Sequence, residues 1–344
     1  MRSIITRYAC AKVRIASLSK LFPRLVLLCS FGLTCAANAA VTHPVTTSTS
    51  PAERSLMQGR IDEAIATLQS AIAANPRDGQ AYLLLCRSYY AEEHQDQAVA
   101  ACENAVRSLP GSSEAYDWLG RALGMKASHA GPFAGFGLAR KVRTAFETAV
   151  QLDPRSAAAA DDLSEFYINA PGIAGGGQDK ATDLADRVQN HLPQVAHRIR
   201  AMLAEKNKDY GTAEHEFKAA VGDAKHPEAL LDLGAYYMRR DQQMNAVETL
   251  KQCLTVDRSN DASIVDVASI LNSRHLEPQL AEHALQEYLR SSAKSDAAPV
   301  IHVEVMLGKM MVARGDTGGA KIEFEKALEL ASGYAPAKQA LRQL

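Results

Sequence analysis

The run Gly172-Ile-Ala-Gly-Gly-Gly-Gln-Asp-Lys180 has the glycines and the lysine of a loop that cradles phosphate. Such a loop needs its lysine directly after the last glycine, then Ser or Thr, with a strand in front. Here Gln178 and Asp179 intervene and the preceding residues have a helical pattern. The run therefore reads as a glycine-permitted turn at a helix start, with anion binding by backbone amides as the lesser reading. The ten histidines are scattered. His191 and His197 are six apart, and His275 and His283 are eight apart. Neither spacing places two ligands on adjacent helical turns, as His-x-x-x-His would. No nucleophile elbow, catalytic carboxylate pair or zinc-type cysteine pair is visible. No catalytic residue, metal site or cofactor is expected, and the acids read as solvated helix faces.

The elements that carry these residues follow a period. Pro76 closes Ala-Ile-Ala-Ala-Asn-Pro and Pro110 closes Ala-Val-Arg-Ser-Leu-Pro, 34 residues later. Pro154 closes Ala-Val-Gln-Leu-Asp-Pro after 44 residues, and Pro193 follows after 39. Residues 79–112 place Tyr82, Leu85, Cys86, Tyr89, Ala98, Cys102, Ala105 and Pro110 at repeat positions 4, 7, 8, 11, 20, 24, 27 and 32. Residues 113–156 place Tyr116, Leu119, Gly120, Leu123, Val142, Phe146, Ala149 and Pro154 there, and 227–260 and 301–334 continue the pattern. These columns resemble the tetratricopeptide repeat, a 34-residue helical hairpin. The resemblance implies an all-α solenoid of about eight hairpins in a right-handed superhelix. Its hairpins lie near 45–78, 79–112, 113–156, 157–193, 194–226, 227–260, 261–295 and 301–334, with a capping helix at 335–344.

The pattern has a physical basis. Small residues at positions 8, 20 and 27 let two helices approach, while larger apolar residues at 4, 7, 11 and 24 fill the space between hairpins. Proline stops the second helix, because it lacks an N–H and biases the preceding residue out of helix. A hairpin cannot bury its face alone, so stability comes from stacking neighbours.

Residues 1–39 read as a cleaved export signal. Six basic residues and no acid precede the apolar run 25–36, and Ala37-Asn38-Ala39 follows. A dozen apolar residues fall short of the roughly 20 that span a bilayer. Gly32-Leu33-Thr34 before Cys35 does not fit a lipid-anchor signal. The expected location is the periplasm, without stable membrane insertion. The remaining body has 32 basic against 39 acidic residues, which argues against general nucleic-acid binding. It keeps Cys86, Cys102 and Cys253. Cys86 and Cys102 fall on facing helices of one hairpin. They read either as a disulfide, which an oxidising compartment permits, or as small buried packing residues.

In the family that this chain resembles, first helices line a concave groove through positions 2, 5, 9, 12 and 13. Those columns, read loosely, give Arg87, Tyr90, Asp117, Arg121, Asp161, Glu165, Arg198, Arg239 and Lys309. The two-carboxylate clamp of chaperone-binding members is absent. Arg87 with Asp117 and Arg121 with Asp161 are the expected cross-repeat pairs, contributing roughly 0–1 kcal/mol each at a surface. Trp118 reads as packing. The extra residues of the third and fourth repeats fall near 126–139 and 170–177 and are expected as neighbouring loops, with Phe133 and Phe136 as anchors for a partner or as residues tucked back. Insertions gathered on one face often mark a binding surface. The expected function is a protein–protein interaction scaffold binding a protein or peptide through the groove and the inserts. The alternative is a solute- or polymer-binding accessory of an envelope transport or secretion system.

Overall fold

The computed structural model describes residues 50–223, 226–256, 262–292 and 294–344, without the side chains at 132 and 133. The expected export signal lies outside the described residues. Among these, 17 α-helices and no strand are present. They pair in chain order: α1 Pro51–Met57 with α2 Ile61–Ala74, α3 Gly79–Ala91 with α4 Gln95–Ser108, and α5 Ser113–His129 with α6 Pro132–Leu152. Next come α7 Ala157–Asn169 with α8 Gln178–Val188, α9 Pro193–Lys206 with α10 Tyr210–Val221, and α11 Pro227–Arg239 with α12 Gln243–Thr255. The last pairs are α13 Ser263–Ser273 with α14 Pro278–Arg290 and α15 Val300–Ala313 with α16 Thr317–Leu330, capped by α17 Ala335–Arg342. The fold is the α-solenoid of eight hairpins that the repeat implies.

Local sequence sets the ends of these helices. Ser50, Asp78, Ser112, Ser156, Asp209 and Asp316 each accept a backbone N–H of the first turn through the side chain, satisfying a donor the helix leaves open. Prolines begin α1, α6, α9, α11 and α14, where the missing N–H is no loss. Six hairpins turn between their helices through a left-handed residue: Gly59, Glu93, Lys208, Asp241, His275 or Gly315. Of the two with extra residues, the third has no such residue between its helices, and the fourth adds a 3-10 turn before its left-handed Gly175.

The third hairpin corrects the sequence reading. Residues 126–139 are not a loop. They lengthen α5 to 17 residues and α6 to 21, leaving only Ala130 and Gly131 between them. Pro132 starts α6, and Phe136, Ala139, Val142 and Phe146 continue one apolar stripe through it. Only the fourth hairpin has an irregular insert, a short 3-10 turn at Gly172–Ala174 followed by Gly175 at φ 95°. That turn packs against α6, so the two insertions are neighbours.

First and second helices are buried differently. Ala229–Met238 of α11 and Ala159–Ile168 of α7 are buried on every face. The second helices α8, α10 and α12 bury one stripe each, such as Ala181, Leu184, Ala185 and Val188. The first helices thus form an inner layer and the second helices an outer one. Within hairpins, Gly120 lets the ring of Phe146 approach so closely that a Cβ would meet it at 2.3 Å. Gly308 does the same for Phe324, at 2.4 Å.

The two ends of the array touch. Arg87 on α3 meets Asp296, just before α15, at 2.5 Å. His302 Nε2 lies 2.6 Å from the Ala91 carbonyl. The Ser332 N–H donates to Asp62 at 2.9 Å, and Gly59 sits hard against Val300. The solenoid closes on itself.

Candidate functional site

Three arginines on inner helices organise the face where the sequence places a groove. Arg87 contacts Asp296 at 2.5 Å and Glu114 at 3.2 Å. Arg121 contacts Asp117, one turn back on α5, at 2.9 Å and Asp162 on α7 at 2.6 Å. Arg198 on α9 gathers Glu165 at 2.6 Å, Asp161 at 3.4 Å and Asp232 on α11 at 2.7 Å. Burial works against the charge of Arg198, but Asp232, Asp161 and Glu165 outweigh it and hold its pKa well above the ordinary value. Arg121, opposed by burial and favoured by Asp117 and Asp162, is raised in the same way.

Trp118 joins two of these clusters. The Arg121 guanidinium lies 4.8 Å from its ring centre and that of Arg87 5.6 Å. Tyr90 meets its edge at 5.4 Å. Trp118 and Tyr90 are both buried, so both pack. An arginine over an aromatic face contributes about 0.5–2 kcal/mol, more as water is excluded.

The residues predicted for the groove are thus brought together, with different partners from those expected. Arg87 does not pair with Asp117, nor Arg121 with Asp161. Arg121 takes Asp117 from its own helix and Asp162 across the repeat, which leaves Asp161 to Arg198. The pairs are also not surface pairs: the side chains of Arg87, Arg121, Asp117, Asp161, Asp162 and Glu165 are all about nine-tenths buried or more. A buried pair adds little net stability, but losing one member strands a charge. Arg239 is different: it holds Glu205 with two contacts of 2.7 Å and stays 44% exposed. Lys309 is exposed.

The two insertions form a second locus. Phe136 is half-buried against the core, tucked rather than free; the Phe133 side chain lies outside the described residues. In the fourth hairpin Ala174 is fully buried, while Ile173 beside it is 68% exposed. Lys180 donates to the Gly175 carbonyl at 2.9 Å and the Gly177 N–H donates to the Tyr167 carbonyl at 2.8 Å. The lysine therefore closes the turn on itself. Arg143 of α6 lies where a Cβ on Gly175 would go, and Tyr167 donates to Glu147 of α6 at 2.9 Å. Burial first, then Glu147, pushes the Tyr167 pKa up.

The cysteine pair has a disulfide as one of its two sequence readings, whereas the acids that complete the arginine clusters have no signal in the repeat pattern. Cys86 and Cys102 are joined as a disulfide, with Cα atoms 5.1 Å apart, and Cys253 is a buried free thiol. Asp162, Asp232 and Asp296 complete the arginine clusters from outside the groove columns. Glu304 stands at repeat position 4, a core position. Burial first, then its hydrogen bond to Glu323, pushes its pKa up to about 8. Among the described residues, no helix is long and apolar enough to cross a membrane.

The tetratricopeptide repeat family profile matches residues 55–122. No curated protein matches the chain. Yeast Tom70 is similar in structure at 15% identity, covering 88% of this chain and 67% of its own, with a TM-score of 0.48. A tetratricopeptide repeat protein of Parabacteroides merdae is similar at 14% identity, covering 83% of this chain and 92% of its own, with a TM-score of 0.41. A thermophilic protein of the same kind from Thermus thermophilus is similar at 19% identity, covering 64% and 99%, with a TM-score of 0.42.

Proposed function

The chain carries tetratricopeptide repeats, and from that premise we propose that it is an exported interaction scaffold whose protein partner docks on the edge built by the third and fourth hairpins. Proteins with this repeat bind protein partners in general. The observation that carries the reading is Ile173. It is a large apolar residue, 68% exposed, on a turn pinned by Lys180, Gly177 and the adjoining α6. An apolar anchor fixed before binding gives up little conformational freedom when a partner covers it. Anchors of this kind carry most of the energy of an interface. The inner face offers less to a partner, since its charges are buried against one another.

Two features support export. The leader has the order basic stretch, apolar run and small-residue site. A disulfide between Cys86 and Cys102 suits an oxidising compartment.

A pulldown from envelope extract with Ile173→Asp, beside a variant that trims α5 and α6 to ordinary hairpin length, tests the reading. Partner recovery should fall with both variants. Unchanged recovery with both removes this edge from the account.

A further inference from the structure

We propose that the array is a latched ring: the end formed by α15–α17 and residues 294–299 is held against α1–α4 by a small polar seam, which opens while every hairpin stays folded and uncovers the inner face. Elsewhere in the molecule, consecutive hairpins are joined by apolar side chains packed helix on helix. Across the seam, among the described residues, the contacts include the Arg87–Asp296 ion pair, the His302 hydrogen bond to the Ala91 carbonyl, the Ser332 N–H to Asp62, and the Gly59–Val300 touch. Among the described residues, no helix of α1–α4 packs extensively on one of α15–α17.

Closure also leaves polar atoms dry. Glu92 Oε1 and His302 Nδ1 are buried at the seam without a hydrogen-bond partner. Gly333 from the turn before α17 lies over the first, where a Cβ would come within 3.4 Å. A buried, unpaired polar atom is costly, and water would satisfy both on opening. The ion pair and the two hydrogen bonds of the seam are contacts that water can replace.

Each side of the latch keeps its shape when apart. On the C-terminal side, the Tyr288 hydroxyl of α14 accepts the Ser295 N–H at 2.8 Å and lies 2.8 Å from the Ala298 carbonyl, so α14 itself presents Asp296. On the other side, Arg87 retains Glu114 and the Trp118 ring. In a solenoid each repeat contacts its neighbours, so separating the ends requires only a small rotation at each of several interfaces.

The test places spin labels, through genetically encoded handles, at the exposed Gln58 and Gln339 of the full chain and measures their separation. The unsubstituted protein should show one short distance. With Asp296→Ala and Asp62→Ala together, the long-distance population should rise roughly five- to thirtyfold, as expected for losing one or two net polar contacts. The helical circular dichroism should not change. Tyr288→Phe should shift the population in the same direction, because it frees Asp296 from α14. An unchanged distance distribution in the double variant overturns the proposal. So does loss of helical signal, which would make the seam part of one cooperative core.

Discussion

Cys86 and Cys102 are bonded at the same two repeat positions that Gly120 and Phe146 occupy in the next hairpin. Gly234 with Leu250 and Gly308 with Phe324 repeat the arrangement, a bare backbone on the first helix against a large side chain on the second. The second hairpin solves the same packing problem with a covalent link.

Reducing that link should lower stability by about 2–4 kcal/mol, the usual range for a loop of this size, read as the difference in urea midpoint with and without reductant. Cys86→Gly with Cys102→Phe should recover much of the loss. No recovery would show that the two solutions are not interchangeable.

Arg198→Met should cost about 3–5 kcal/mol in urea denaturation, because Asp161, Glu165 and Asp232 lose their shared cation in a buried site. Arg239→Ala removes an exposed pair and should cost under about 1 kcal/mol. Equal effects would mean that burial does not set the energetics of these clusters.

Glu304→Gln should stabilise the protein at alkaline pH. The folded-state pKa of about 8 lies above the ordinary 4.5, so the folded chain holds a proton that the unfolded chain has released. Wild-type stability therefore falls relative to the variant as pH rises from about 4.5 to about 8, and the gap levels off above that. A gap of roughly 2 kcal/mol is expected at pH 9 after allowing for solvent screening. A difference that does not vary with pH would remove Glu304 as the titrating group.

Lys208→Gly should raise stability by about 0.5–1 kcal/mol, since Lys208 is exposed and turns its hairpin at φ 63°, where a Cβ is strained. Gly315→Ala, at φ 88° in the equivalent turn, should lower it by a similar amount. Thermal unfolding of the two variants checks both signs.

The hairpins were legible because their signals are local. Pro76, Pro110 and Pro154 mark the period, and Cys86, Gly120, Gly234 and Gly308 mark the close approaches. The groove columns found Arg87, Arg121 and Arg198 but not their partners. Partner choice depends on how far one helix slides along the next, and moving one residue from Asp161 to Asp162 redirects Arg121. The extra residues of the third hairpin looked like a loop because Gly131, Gly135 and Gly137 crowd together, yet the apolar stripe of α6 outweighs the weak helix propensity of glycine. Asp296 was invisible as a partner of Arg87, 209 positions away, because only the curvature of the whole array brings them together.

Closure also bears on how this gene can change. An open solenoid gains or loses a hairpin at modest cost, since each new unit stacks on an end. Here the first and last described hairpins meet through Asp62, Arg87, Asp296 and Ser332. Duplicating or deleting one hairpin would carry Asp296 away from Arg87.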